Sequence, residues 1–312
     1  MQIVARAREI STGGRPICVA IGTFDGVHVG HQAVLRQTLA DARAAQAMAV
    51  AVTFDRHPAA VLAPARQPRL IYPAPQKLRA LAAAGVETTW LIPFDRAFSQ
   101  QSGEEFIQLL VREAGPVRGV CVGTGFVFGH RRSGNLGLLQ QMGERYGYTT
   151  RGLAPVLFAG EPVSSTRIRG AIQAGDFSLA SALLGRPYSL AGLVTRGDQL
   201  GRQLGFPTAN LEVSGLVLPP TGVYSVEARL SQDRRCPALL NLGYRPTVAN
   251  TTPALRAEAH LLDFTGDLYD QEMEVVFRQK LRDELKFPSL AALQSQIQRD
   301  IAAARSLAGA GG

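Results

Sequence analysis

Gly22-Thr23-Phe24-Asp25-Gly26-Val27-His28-Val29-Gly30-His31 lies where an apolar run, Ile17 to Ile21, gives way to Gln32 to Ala44, which carries apolar residues at helical spacing. A buried strand, a glycine-rich turn and a helix in that order open an α/β unit and build a place for phosphate. The glycines let backbone approach a polyanion, and the nascent helix offers free N–H groups and a positive dipole end. His28 and His31, three apart, share one face. Both imidazoles can then donate hydrogen bonds to one phosphoryl group. An H-x-G-H match alone reads equally well as a tight turn with polar surface histidines; the full ten-residue string separates the two readings.

Outward from this turn, short apolar strands alternate with helical patterns from residue 17 to about 184, which predicts a parallel sheet covered by helices. The strands are Ile17 to Ile21, Met48 to Phe54, Thr88 to Ile92, Gly119 to Val122 and Tyr148 to Gly152. Ser102 to Ala114 reads as a helix with capping-box spacing between Ser102 and Glu105 and a buried face of Phe106, Leu109 and Leu110. The pattern changes after a helix from Phe177 to Leu184, stopped by Gly185 with Pro187 beyond it. The boundary is placed there, giving domains 1–185 and 186–312. Beyond it, Tyr188 to Thr195, Gly222 to Leu230, Cys236 to Leu242, Ala257 to Leu262 and Met273 to Leu281 have the texture of an antiparallel barrel. An amphipathic helix, Ser289 to Leu307, closes the chain, and the tail Ala308 to Gly312 is expected to lack order.

The chain's 312 residues accommodate two domains, and 46% hydrophobic with 19% charged residues is ordinary globular composition. Its net charge of +8 is carried by arginine, because Lys77, Lys280 and Lys286 are the only lysines. Arginine suits phosphate recognition; a general arginine and alanine bias, visible around Ala80 to Ala84 and Ala302 to Ala304, explains it equally well. No basic run alternates with aromatics, so anionic small molecules are the expected partners and nucleic acid is not. Cys18, Cys121 and Cys236 are odd in number and widely spaced, which argues against a disulfide framework and for a reducing compartment. No apolar run approaches membrane-spanning length and the N-terminus lacks a signal pattern, so a cytoplasmic protein with no membrane partner is expected. A homo-oligomer is left open.

A second phosphate signal is Val163-Ser164-Ser165-Thr166-Arg167-Ile168-Arg169, with hydroxyls at a helix start and two arginines in its first turns. Alone it would be an ordinary helix cap. Together, the ten-residue string and Ser-Ser-Thr-Arg-Ile-Arg resemble the two signatures of the nucleotidyltransferase superfamily, in the form found in bifunctional riboflavin kinase/FAD synthetases. The resemblance implies a Rossmann-like domain in which an FMN phosphate oxygen attacks the α-phosphorus of ATP and expels pyrophosphate. Such chemistry rests on alignment and on donors aimed at developing charge. On this resemblance His28 and His31 are catalytic, and Gly22, Thr23, Phe24, Asp25, Gly26, Gly30, Ser165, Thr166, Arg167 and Arg169 bind nucleotide. Thr53 to Pro58 resembles a third family segment, with Arg56 replacing a proline; His57 there is either a substrate contact or a solvated loop histidine. The chain departs from the family at Val122 to Gly129, where Gly125 replaces Asp or Asn and Val127 an arginine; Thr124 and Asn135 are neighbours able to supply the missing oxygen.

The second half carries Gly192 to Gly197, then Gly201-Arg202-Gln203-Leu204-Gly205-Phe206-Pro207-Thr208-Ala209-Asn210. Glycines 197, 201 and 205 around Arg196 and Arg202 suit a loop that folds over phosphates. Gly-Phe-Pro-Thr-Ala-Asn resembles the defining motif of riboflavin kinases, and Pro220 to Tyr224, Asn241 to Thr247 and Glu258 to Phe264 extend the match in family order. That resemblance implies an antiparallel barrel that phosphorylates riboflavin with ATP. Thr208 and Asn210 would hold a magnesium–nucleotide complex, Gly197 and Arg202 would bind nucleotide, and Glu258 would act as general base on the ribityl hydroxyl. Leu281 to Phe287 resembles the flavin-side segment, with Arg282 and Phe287 at the isoalloxazine. The expected protein is therefore a transferase taking riboflavin to FMN and FMN to FAD, with Mg2+ and ATP. Gly125 motivates a kinase-only alternative. A non-catalytic flavin or nucleotide sensor is a second one, against which the complete Thr208, Asn210 and Glu258 set argues, because binding alone needs no base.

Overall fold

Six strands, β1 (Gln2–Val4), β2 (Ile17–Ile21), β3 (Met48–Phe54), β4 (Thr88–Ile92), β5 (Val117–Gly123) and β6 (Thr149–Leu153), form a sheet in the order β1-β4-β3-β2-β5-β6, with every neighbouring pair parallel. This computed structural model describes residues 1–197, 201, 204–231, 234–245 and 254–309. The chain divides into two compact units, Met1–Ile168 with Leu183–Gly185 and Arg169–Ala182 with Arg186–Gly312. In the first unit β2 is buried along its whole length and β3 nearly so. Continuous burial is what a parallel strand covered on both faces requires, and it explains why those runs are apolar without alternation.

Helices α1 (Val29–Ala44), α2 (Ala74–Ala83), α3 (Gly103–Glu113) and α4 (Leu136–Tyr146) fall between the strands. The expected capping box closes α3: the Ser102 hydroxyl accepts from the Glu105 N–H at 3.2 Å, and the Glu105 carboxylate accepts from the Ser102 N–H at 2.7 Å. The strand order reverses beside β2, whose neighbours β3 and β5 lie on opposite sides. At such a switch point the connections leave in opposite directions and a crevice opens beyond the carboxyl ends of the strands. The turns after β2 and β5 are Gly22–His28 and Thr124–Gly129, so the sequence places glycine-rich segments at that crevice.

Sequence periodicity missed β1 and a two-residue hairpin, β7 (Leu157–Phe158) with β8 (Glu161–Pro162). Segments this short do not complete a pattern. Helices α5 (Ser165–Gln173) and α6 (Phe177–Leu184) follow. The second unit is a closed barrel of β9 (Ser189–Thr195), β10 (Ala209–Leu211), β11 (Gly222–Arg229), β12 (Arg235–Arg245), β13 (Ala254–Leu261) and β14 (Glu272–Arg282), ordered β10-β13-β12-β11-β14-β9 with antiparallel neighbours. Its interior is built by alternation, with Tyr224, Val226, Ala228, Leu240, Leu242, Ala257 and Ala259 all buried. Strand β10 has three residues and was not expected. Helix α7 (Leu290–Gly309) starts after Ser289, whose hydroxyl accepts from the Ala292 N–H at 3.2 Å. It runs two residues into the tail expected to lack order; residues 310–312 lie outside the described ones.

Candidate active sites

In the first unit the turn after β2 is held in a backbone conformation that most residues avoid. Phe24 (φ 51°), Gly26 (φ 78°) and Val27 (φ 39°) all have positive φ, which for a β-branched valine is a strained state. Phe24 and Val27 are both 1% exposed, so packing fixes the strain in place. His28 then caps α1, its Nδ1 accepting from the His31 N–H at 3.3 Å. A neutral imidazole that accepts at Nδ1 carries its proton on Nε2, so the cap sets the tautomer that donates. The two imidazoles stack with centroids 3.6 Å apart, and Phe24 meets His31 edge-on at 5.2 Å. Gly30 permits this stack, because a Cβ there would sit 3.1 Å from the His28 ring.

These residues wall a cavity of about 340 Å³ lined by Gly22, Thr23, Phe24, His28, Gly30 and His31 on one side and by Gly123 to Val127 and Val163 on the other. The second signal divides its hydroxyls. Ser164 caps α5 by accepting from the Arg167 N–H at 3.2 Å, Ser165 donates to the Asp25 carbonyl at 3.1 Å, and Thr166 is exposed. Ser165 thus ties the two sequence signatures together. Asp25 and Gly26 do not line the cavity; the Asp25 carboxylate accepts from the Ile71 and Tyr72 N–H groups at 3.0 and 3.2 Å. Arg167 serves the β7–β8 hairpin, donating to the Phe158 and Glu161 carbonyls and pairing with the Glu161 carboxylate at 3.1 Å. Arg169 lies on α5 where the chain passes into the second unit. His57 Nδ1 accepts from the Ala59 N–H at 3.1 Å and lines a small separate pocket with Thr23 and Lys77. A Cβ on Gly125 would meet open space. Of its two neighbours, Thr124 lines the cavity while Asn135 caps α4, accepting from the Leu138 N–H at 3.0 Å.

In the second unit the barrel register builds the site. Glu258 is paired directly with Asn210 on one side and Asn241 on the other, so three polar side chains form a row on the outer face of β10, β13 and β12. Residues Ala257 and Ala259 flank Glu258 and point the opposite way, into the core. Glycines make room around these side chains: a Cβ on Gly197 would overlap the Asn210 amide, and one on Gly201 would overlap the Phe206 carbonyl and sit 3.3 Å from Thr208 Oγ1. Arg202 lies outside the described residues, as do Pro246 and Thr247.

Two cavities meet at Thr208. One, about 530 Å³, is lined by Val194, Thr208, Ala259, Phe264 and Tyr269 among others, with the Arg196 guanidinium 5.2 Å from the Tyr269 ring. The other, about 330 Å³, holds Thr208, Asn241, Glu258, His260, Arg282 and Phe287. Arg282 is anchored to the buried Asp300 of α7 at 2.9 Å and lies 5.7 Å from the Phe287 ring. His260 Nδ1 is 2.8 Å from the Pro207 carbonyl, which fixes it as the donor and steadies the residue before Thr208. Asn241 and His260 were not singled out from sequence, although both lie in quoted motifs. The signal for them is positional, since period-two alternation from Glu258 puts His260 on its face and strand pairing puts Asn241 beside it. Among the described residues no cluster of three or more His, Cys, Asp or Glu could hold a metal.

Comparison with known proteins gives one family match in each half of the chain. A family model described as FAD synthetase matches residues 11–167, and one described as riboflavin kinase matches residues 184–308. A bifunctional riboflavin kinase/FMN adenylyltransferase from Pseudomonas fluorescens is 40% identical over 308 residues, covering 99% of this chain and 98% of that protein. One of the same description from Escherichia coli K12 is 37% identical over 310 residues, covering 99% and 98%. A crystal structure described as a macrolide-efflux protein from Streptococcus pneumoniae superposes with a TM-score of 0.80 at 28% identity, covering 97% of this chain and 98% of that one. What the two share is the architecture. Among the described residues no helix is long and apolar enough to cross a membrane.

Proposed function

The chain belongs to the bifunctional riboflavin kinase/FMN adenylyltransferase family, and we propose that its two units carry the two ATP-dependent steps from riboflavin to FAD at the cavities described above. The enzyme is a transferase. Residues 186–312 phosphorylate riboflavin to FMN, and residues 1–185 adenylylate FMN to FAD with release of pyrophosphate.

In the kinase unit, Glu258 takes the proton from the ribityl hydroxyl as that oxygen attacks the γ-phosphorus and ADP leaves. Asn210 and Asn241 stand on either side of Glu258 in the barrel register. Thr208 at the junction of two cavities supports placing the nucleotide in the larger one and the flavin in the smaller, between Arg282 and Phe287. The Thr208 hydroxyl and Asn210 amide oxygen are hard donors that fit magnesium, which binds through few protein ligands together with phosphate and water. Magnesium, when bound, offsets phosphate charge in both steps.

In the adenylyltransferase unit, His28 Nε2 donates to the α-phosphoryl oxygens as charge builds there, with His31 beside it. At 7% exposure His28 is largely shielded from water, which strengthens such a donor and leaves little reorganisation to the reaction itself. The N-terminus of α1 adds free N–H groups and dipole toward the same phosphates. Gly22, Thr23, Phe24 and Gly30 shape the nucleotide side, while Ser165, Asp25, Gly26, Arg167 and Arg169 act through the turn, hairpin and helix they hold, and Thr166 stands exposed in the first turn of α5.

The observation that carries this reading is that each unit has its own cavity with its own reactive group: an imidazole pair in one, a carboxylate between two amides in the other. Riboflavin, ATP and magnesium are supplied and the flavins are separated by chromatography. The wild type is expected to yield FMN and then FAD, and His28→Ala to stop at FMN, losing about 10²-fold or more in adenylyl transfer. Glu258→Gln should make no FMN from riboflavin yet convert added FMN to FAD. Wild-type product that stops at FMN would instead favour the kinase-only reading, for which the open space at Gly125 is the specific observation.

A further inference from the structure

Lys77 of α2 is 7% exposed and the reading above gives it no task. Its ammonium donates to the Phe54 carbonyl at 2.6 Å and to Thr53 Oγ1 at 3.4 Å, and the Thr53 hydroxyl in turn donates to the Thr23 carbonyl at 3.1 Å. Thr23 belongs both to the small pocket around Lys77 and to the wall of the adenylyl-transfer cavity. A hydrogen-bonded route therefore runs from a buried cation to the strained phosphate turn. The charged and titratable groups facing Lys77 are Asp25 from that turn, Asp55, Arg56 and His57 from the segment after β3, and Tyr72. Asp55 is itself engaged, accepting from the Phe94 N–H at 2.9 Å and pairing with Arg56.

We propose that Lys77 is a positioning residue for adenylyl transfer: its ammonium braces the Thr23–Asp25 turn through Thr53 and sets a fixed positive charge behind the bound triphosphate. The inference rests on the assignment of adenylyl transfer to this unit. An uncharged side chain of the same length would fill the same space without the cost of burying a charge. That cost is visible: burial pulls the Lys77 ammonium down to about 8, outweighing the attraction of Asp25 and Asp55. A polyanion seated on the turn favours the charged form, and by linkage the charged form favours the polyanion. For each unit by which bound ATP raises that value, losing the proton weakens transfer about tenfold.

The test compares wild type, Lys77→Met and Lys77→Arg for FAD formation from added FMN, as kcat/KM for ATP on either side of pH about 8. FMN formation from riboflavin by the same samples and the melting temperature serve as controls. We expect the wild-type value to fall about tenfold as pH rises through this range. Lys77→Met should already sit at the lower level at neutral pH, with no such limb and no loss of melting temperature, while FMN formation is unchanged. Lys77→Arg should restore the neutral-pH value and hold it to higher pH. A Lys77→Met variant with the wild-type rate or the same limb overturns the proposal, and so does Lys77→Arg as impaired as Lys77→Met. Should Lys77→Met not fold, the wild-type limb and its absence in Lys77→Arg decide; a limb shared by both overturns it. A wild type that makes no FAD at any pH defeats the assignment of adenylyl transfer itself, and is told apart by that.

Discussion

On the proposed assignment His28 serves its helix as well as the substrate, because the nitrogen that caps α1 is the one that leaves Nε2 as donor. The arrangement depends on a missing atom at Gly30, where a Cβ would press on the His28 ring at 3.1 Å. Gly30→Ala is expected to displace the imidazole and lower adenylyl transfer while FMN formation continues, which the flavin assay reads directly. The buried titratable groups of the same unit set a pH dependence of stability. The folded value of Lys77 is about 8 against an ordinary 10.5, so between these the unfolded chain holds a proton the native state has released, and stability rises with pH. Burial acts in the opposite sense on Cys18 and Cys121, raising both thiols to about 11 from 9.0. Above pH 9.0 the native state keeps protons the unfolded chain gives up, and the two thiols outweigh the one lysine. Melting curves are expected to show stability gained from pH about 8 to about 9 and lost above it, with the gain absent in Lys77→Met.

Elements earn their positions from their ends. Helix α3 is fixed by the reciprocal Ser102 and Glu105 bonds, legible in sequence because a capping box is a local pattern. Ser102→Ala is expected to cost about 1 kcal/mol of stability, measured by denaturant unfolding, and to leave both activities in place. Strand β10 is the contrary case. Three residues have no readable period, yet pairing with β13 sets Asn210 against Glu258, and Gly197 clears the space its amide occupies. Gly197→Ala is expected to reduce FMN formation several-fold without touching FAD formation from added FMN, because the added Cβ would overlap the Asn210 side-chain amide and displace its oxygen. Arg167, expected from its motif to bind nucleotide, shows how a short element can engage a motif residue. Its guanidinium is taken up by the β7–β8 hairpin, an element too short to be seen before the structure.

For the molecule as a whole, two units with separate reactive groups imply that damage to one leaves the other intact. An equimolar mixture of His28→Ala and Glu258→Gln is expected to convert riboflavin to FAD although neither does so alone, since FMN released by the first is adenylylated by the second; chromatography of the mixed reaction checks it. Much of this architecture was written locally. Apolar runs and their punctuation by glycine and proline fixed a parallel sheet followed by a barrel, and contiguous motifs named His28, His31, Thr208, Asn210 and Glu258, because burial period, turn chemistry and phosphate-binding turns each span only a few residues. Tertiary structure alone decided which of those residues meet. The bond from Ser165 to the Asp25 carbonyl joins positions far apart in the chain, the row Asn210, Glu258 and Asn241 exists only in the barrel register, and Lys77 reaches Thr23 only through Thr53 of a neighbouring strand. Such contacts arise from packing between distant segments, and no pattern confined to one segment can carry them.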